Sequence, residues 1–312
     1  MKKSLVISTL LFAISSLASY ADSIQSVTHE IRYERSHANG DAHSGGQIEW
    51  TLAKGSIDLS DPGQPGLIFD FDVDRDIYLN SDNDFTDHGW DTQFKLSKSY
   101  DWGKFKFIGL EYDQKKTTKN VVSEDYNYTM GPIWKLYGGN LETFLAYDRN
   151  SMTDADRWGF DVDYDKTWLK KSGKWGSVSL WNNTELHYRF ESKNKTYGYK
   201  ENNLDFYNET SLLYRTPNYG PFYGSVEAYG EMFTNTKDTV NRLGTTYKLM
   251  PLVGAQWKVN HFTFNPYVSY EVFDRKTTFY KDQQNKYDRA DNRRTVTDNN
   301  ELAIGLIIKW TK

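Results

Sequence analysis

Between Asn300 and Trp310 the chain alternates without a break. Leu302, Ile304, Leu306, Ile308 and Trp310 fall on one side, and Glu301, Ala303, Gly305, Ile307 and Lys309 on the other. Successive side chains of a β-strand point to opposite faces, so the segment reads as a strand with one greasy and one small or polar face. The rhythm recurs upstream. Trp158, Phe160, Val162 and Tyr164 alternate with Gly159, Asp161, Asp163 and Asp165, and Leu67, Phe69, Phe71 and Val73 with Ile68, Asp70, Asp72 and Asp74. Phe262, Phe264, Val268, Tyr270 and Val272 share a face opposite Thr263, Asn265, Ser269 and Glu271. Fourteen such segments are predicted, at approximately 26–35, 46–54, 66–79, 88–98, 104–114, 126–136, 141–148, 157–168, 176–191, 204–214, 222–234, 244–257, 262–273 and 300–310. In 104–114 and 126–136 the apolar phase slips by one residue, so each is expected to hold a bulge.

The connectors alternate in length. Ser99–Gly103, Tyr137–Asn140, Leu169–Trp175, Arg215–Pro221 and Lys258–His261 are short and rich in Gly, Pro and Asn. Between them lie longer polar stretches: His37–Gly45, Asn80–Asp87, Lys115–Asp125, Arg149–Asp156, Ser192–Asn203, Asn235–Leu243 and Asp274–Asn299. Tight turns at one end and long loops at the other are the topology of an outer-membrane barrel, with short periplasmic turns and long extracellular loops. Gly55–Pro65 is long for a periplasmic turn.

A soluble sandwich also alternates, so composition has to decide. Mean hydropathy is −0.75, and charges break every apolar run after the first 21 residues. A transmembrane helix is thereby excluded from the body of the chain, leaving the closed barrel as the membrane-spanning option, because lipid tolerates no unpaired backbone. Lys2 and Lys3, the apolar Leu5–Leu17 run and Ser19-Tyr20-Ala21 read as a signal peptide cleaved after Ala21, with 22–312 forming the barrel. The 23 Tyr, 17 Phe and 10 Trp outweigh what a core poor in Leu, Val and Ile would use. Many sit near the ends of the alternating runs, where interfacial girdles belong. Cysteine is absent, which removes disulfide and thiolate chemistry. With 42 Asp+Glu against 38 Lys+Arg and no basic, aromatic-interleaved patch, nucleic acid is not an expected partner.

If the apolar phase faces lipid, the opposite phase lines a pore. Its predicted acids include Asp70, Asp72, Asp74, Asp161, Asp163, Asp165, Glu185, Glu209, Glu227, Glu231 and Glu271, with Glu30, Glu34, Glu49, Asp91 and Asp205. Fewer bases share it: Arg32, Lys95, Arg157, Arg189, Lys248 and Lys309. Such a wall concentrates cations. Asp161 and Asp163 are expected to face water and Asp161 to tolerate substitution, whereas Phe160 and Val162 face lipid. Trp181, Tyr207, Tyr223 and Tyr229 share the inner phase, where they would either stack on sugar rings or fill space beside the wall. The acidic ladders are not calcium loops: counted from Asp70, the sixth and twelfth positions hold Arg75 and Ser81 where an EF-hand needs Gly and Glu. His187 lies between Glu185 and Arg189, and no nucleophile–base–orienter pattern accompanies any of the six histidines. No catalytic residue, metal or cofactor is expected. Arg275, Lys281, Lys286, Arg289, Arg293 and Arg294 make the Asp274–Asn299 connector net basic, and such a loop above an acidic lumen is a candidate gate.

Fourteen strands after a signal segment, with seven external loops, resemble the monomeric outer-membrane porins of the OmpG class. The terminal strand Ala303–Trp310 is similar to the C-terminal recognition strand of such barrels, except that Thr311 and Lys312 follow the last aromatic. The resemblance implies a single-chain, water-filled channel for ions and small hydrophilic solutes in the bacterial outer membrane, gated by a mobile loop and contacting only lipid and solute. Oligosaccharide channels of twelve or fourteen strands fit the same architecture, and an outer-membrane hydrolase is the enzyme-class alternative.

Overall fold

The computed structural model describes residues 24–39, 45–60, 66–79, 85–117, 122–150, 155–193, 200–237, 240–282 and 294–312. The predicted signal segment lies outside them. The strands are β1 Ile24–Asn39, β2 Gly45–Asp58, β3 Leu67–Leu79, β4 Phe85–Tyr100, β5 Gly103–Thr117, β6 Val122–Leu136, β7 Gly139–Asn150 and β8 Ala155–Gly173. They continue as β9 Gly176–Lys193, β10 Lys200–Arg215, β11 Phe222–Lys237, β12 Val240–Ala255, β13 Trp257–Val259, β14 Phe262–Asp282 and β15 Arg294–Thr311. Each pairs antiparallel with its chain neighbour, β15 closes on β1 with Val27 opposite Trp310, and β12 pairs with β14. The three residues of β13 only extend the β12 edge of the β14 hairpin. The wall is therefore a closed barrel of fourteen strands with no helix among the described residues.

Closure satisfies every edge, and the alternation then assigns the faces. Trp158, Phe160, Val253 and Ile304 are 50–65% exposed, whereas Glu34, Asp161, Arg189 and Glu271 are 3–7% exposed. A soluble protein has the reverse arrangement. Side chains of the charged phase reach one another across intervening strands: Tyr267 on β14 donates to Glu30 on β1 at 2.5 Å, and Tyr223 on β11 to Asn265 on β14 at 2.8 Å. Such contacts need the concave side, so the charged phase is the interior.

Tyr112, Tyr126, Tyr128, Tyr147 and Trp158 run ring to ring at 4.9–6.5 Å around the outside of β5–β8. Tyr100, Trp102 and Trp134 form a second cluster beside the β4–β5 turn. These are the two interfacial girdles of a spanning barrel. The tight turns share the Trp102 end. The Tyr137–Gly138 turn has φ of 48° and 79°, the doubly left-handed turn that matches strand twist and favours glycine.

All fourteen predicted strands are found, the bulge expected in 104–114 is present, and three other local readings are corrected. The slip in 104–114 is a bulge at Phe107–Ile108, both exposed, between the Lys106–Gly131 and Gly109–Thr129 pairs. No bulge occurs in β6. Its outer phase runs unbroken from Tyr126 to Leu136, and Ile133 is an apolar residue on the inner face, 6% exposed. Gly55–Pro65 shortens, because β2 continues to Asp58 and Leu59 N–H donates to Leu67 O at 2.8 Å. Asp274–Asn299 is not one long loop: β14 runs to Asp282 and β15 begins at Arg294, with Arg275 opposite Asp298. Arg275, Lys281 and Arg294 are ladder residues, while Lys286, Arg289 and Arg293 fall outside the described residues.

One patch of the outer face is polar. Asn182 and Thr184 on β9 and Asn208 and Thr210 on β10 lie between Leu180 and Leu186 along one strand and Phe206 and Leu212 along the other. They bond to one another: Asn208 Nδ2 donates to Thr184 Oγ1 at 2.7 Å, and Asn182 Nδ2 to Thr210 Oγ1 at 3.0 Å and to the Glu209 carbonyl at 2.8 Å. Mutual satisfaction lets these groups sit within an apolar belt. Asn208→Ala is expected to destabilise the barrel by about 1 kcal/mol, read by urea titration of the protein in lipid vesicles. A gain in stability would show that the network is not holding the patch.

Candidate functional site: the charged inner wall

On β8 and β9 the inner phase carries Asp161, Asp163 and Asp165 facing His187, Glu185 and Asn183 across the ladder. Arg189 reaches down from the next inward position. Its Nη1 and Nη2 both donate to Asp161, the latter at 3.3 Å, and its Nε donates to Asp148 on β7. Arg157 lies 3.9 Å from the same Asp148 carboxylate. Asp161 therefore faces inward as expected but not toward water. It is sealed beneath Arg189, and the expectation that it tolerates substitution is withdrawn. Asp165 accepts from Trp181 Nε1. Asp163 and Glu185 are half-buried and close on His187 Nε2, at 3.1 and 3.7 Å.

Across β2–β4 the acidic ladder is interleaved with base. Asp72 pairs with Lys54 at 2.5 Å, Asp70 with Lys95 at 3.2 Å, and Ser56 donates to Asp70. Asp74 begins a hoop of acids at one ladder level: Asp74 is opposite Asp91, Asp91 opposite Asp113, and Asp113 opposite Asp125. Four inward carboxylates on four successive strands make this the acidic arc of the wall.

The remaining predicted wall residues are also inward. Glu209 stands opposite Glu231, which accepts from Tyr229 at 3.2 Å. Glu227 accepts from Ser211 at 2.5 Å and Glu271 pairs with Lys248 at 3.3 Å. The inner aromatics are occupied with the wall: Arg215 lies over the Tyr223 ring at 3.9 Å, and Tyr207 stacks on Phe233 at 6.1 Å. Sequence reasoning missed Lys54, Lys106, Glu111, Asp113, Glu142 and Asp148. Lys106 is 9% exposed, with its ammonium over Phe144 at 3.3 Å and Glu142 at 3.8 Å. The signal for Lys106 and Glu111 was the paired outward Phe107–Ile108, which inverts the phase between them.

The inner wall bounds a cavity of about 910 Å³ and a second of about 300 Å³. A closed, even-stranded antiparallel barrel with an apolar exterior, aromatic girdles and a charged, hollow interior is a transmembrane β-barrel of the bacterial outer-membrane type. No known family profile matches the chain, and no curated protein is similar enough in sequence to be matched. Solved outer-membrane barrels follow a loosely similar course. OmpT of Vibrio cholerae, in its trimer form, is 9% identical at a TM-score of 0.36, covering 93% of this chain and 100% of that one. OprD from Pseudomonas aeruginosa is 8% identical at 0.36, covering 91% and 94%. OccAB1 of Acinetobacter baumannii is 10% identical at 0.35, covering 92% and 96%. At that distance their solutes and assembly states say nothing about this chain.

Proposed function

We propose that this barrel is a passive, cation-preferring channel for ions and small hydrophilic solutes. It conducts as a single chain, in the manner of the OmpG-class porins, and performs no chemistry on what passes. The observation that carries this reading is the charge of the larger cavity. Asp70, Asp72, Glu111, Asp163 and Glu185 line it, against Lys54, Lys95 and Lys106; Asp161 is set aside because Arg189 neutralises it. In a narrow aqueous tube such an excess produces a potential of several kT, screened over about 10 Å at 0.1 M salt. A dedicated sugar path is less well supported, because Tyr207, Tyr223 and Tyr229 are engaged with wall residues rather than presented as a bare stacking track.

The test is the reversal potential of the purified protein in a planar bilayer under a KCl gradient. The unmodified channel is expected to select K⁺ over Cl⁻. Asn at Asp70, Asp72 and Asp74 together should shift the potential toward Cl⁻ by more than three lost charges alone suggest, because Lys54 and Lys95 lose their carboxylate partners. Asn at Asp91 and Asp113 should shift it the same way without exposing those lysines. Anion selectivity in the unmodified protein would overturn the reading.

A further inference from the structure

The histidine of the inner wall is placed as a ligand rather than as a lone hydrogen-bonding group. His187 Nε2 is 3.1 Å from Asp163 Oδ1 and 3.7 Å from Glu185 Oε2, and one ligating atom from each of the three residues lies within 4.8 Å of the others. Among the described residues this is the one group of three such side chains that converges in this way. Asp163 and Glu185 are direct ladder partners on β8 and β9. Like charges placed opposite one another destabilise a sheet unless something neutralises them. Arg189, two residues beyond His187 on β9, is committed to Asp161 and Asp148.

Two further features match a metal site. Asn183 Nδ2 donates to Glu185 Oε1 at 2.5 Å, which fixes the carboxylate and leaves Oε2 turned toward His187. Outer-sphere bonds of this kind orient ligands in metal centres. All three side chains also line the cavity of about 910 Å³, so a fourth position opens to water. Ligands at about 2.0–2.2 Å from a tetrahedral ion stand a little over 3 Å apart, which small side-chain rotations would reach from the present geometry. The donor set decides the class of ion. An imidazole with two carboxylates suits Zn²⁺, Ni²⁺ or Cu²⁺, whereas Ca²⁺ and Mg²⁺ call for all-oxygen shells.

We propose that Asp163, Glu185 and His187 form a binding site in the lumen wall for a divalent first-row transition ion, which occupies the cation path and slows current through it. The effect on current rests on the channel reading; the binding does not. The test therefore has two arms on the full-length folded barrel. In detergent, titration calorimetry with Zn²⁺ should show one site per chain, weakened at least about tenfold by His187→Ala and about tenfold by Asn183→Ala. Mg²⁺ should give no such site. In bilayers, Zn²⁺ should reduce the current of the unmodified channel and leave that of His187→Ala unchanged. Circular dichroism of each variant checks that the barrel is intact, and Glu185→Gln serves if His187→Ala does not fold. A conducting barrel that neither binds Zn²⁺ nor is slowed by it overturns the site and leaves the channel standing. Zn²⁺ binding that is lost in His187→Ala, in a barrel that does not conduct, supports the site and overturns the channel.

Discussion

Replacing Arg189 with Met is expected to destabilise the barrel by roughly 3–5 kcal/mol. Arg189 and Asp161 are 4% and 3% exposed and held by two parallel bonds, with Asp148 on a third. Removing the guanidinium leaves the sealed Asp161 carboxylate without its counter-charge and sets it beside Asp148. The burden should fall on the unpaired charge rather than on lost packing, because Met retains most of the stem. Arg189→Met with Asp161→Leu should therefore recover part of the loss, since replacing both members of a buried pair is far milder than breaking it. Gly159 belongs to the same unit. A Cβ there would come within 2.8 Å of Arg189 Cδ and closer still to the Tyr188 carbonyl, so Gly159→Ala should disturb the same site. Urea titration in lipid vesicles gives all four stabilities. A loss under about 1 kcal/mol for Arg189→Met would place the triad among weak surface pairs and contradict its burial.

That triad shows where sequence reading stops. Asp161 and Arg189 were assigned to the inner face from alternation alone, and both are there, because a period of two fixes the face of every residue in an unbroken strand. Alternation carries no information about burial within a lumen, so nothing indicated that Asp161 lies under a guanidinium. The third partner, Asp148, sits on β7, where it was left unassigned. Bulges hide more. Thr51 and Ala53 on β2 oppose Asp74 and Val73 on β3, so Leu52 is an extra residue and Lys54 re-enters the inner phase only beyond it. A reader without the ladder cannot place that step. The upper half of β14 was taken as loop for a different reason. Past the bulge between Glu271 and Asp274 the alternation of greasy and polar residues fades, though the pairing with β12 and β15 persists. Closure was expected from the sequence, but the contacts it makes were not: Tyr267 and Glu30 meet only because β15 returns to β1.

Arg at Phe160 or Val162 is expected to lower stability by roughly 2–4 kcal/mol if the site lies near the membrane midplane, and less toward the interfaces. Both side chains project from β8 into the apolar belt, Phe160 at 50% and Val162 at 39% exposure, with Asp161 inward between them. A guanidinium there must enter hydrocarbon or bend away to water. Phe160 also makes an edge contact with Phe190 at 5.5 Å, so its loss mixes ring packing with the charge. Val162 has no ring, and a similar loss at Val162→Arg would assign the effect to the charge. The inner-face comparison is Gln93→Arg, since Gln93 is exposed on the opposite phase with Asp72 and Glu111 as ladder partners. An arginine there enters water beside two carboxylates and should change stability by no more than about 0.5 kcal/mol, while shifting the reversal potential toward Cl⁻. The physical content lies in the contrast between phases: one polar substitution, two faces of one wall, opposite solvents. Equal destabilisation on both faces would mean that each is packed against protein, and a barrel spanning lipid around an aqueous lumen would be ruled out.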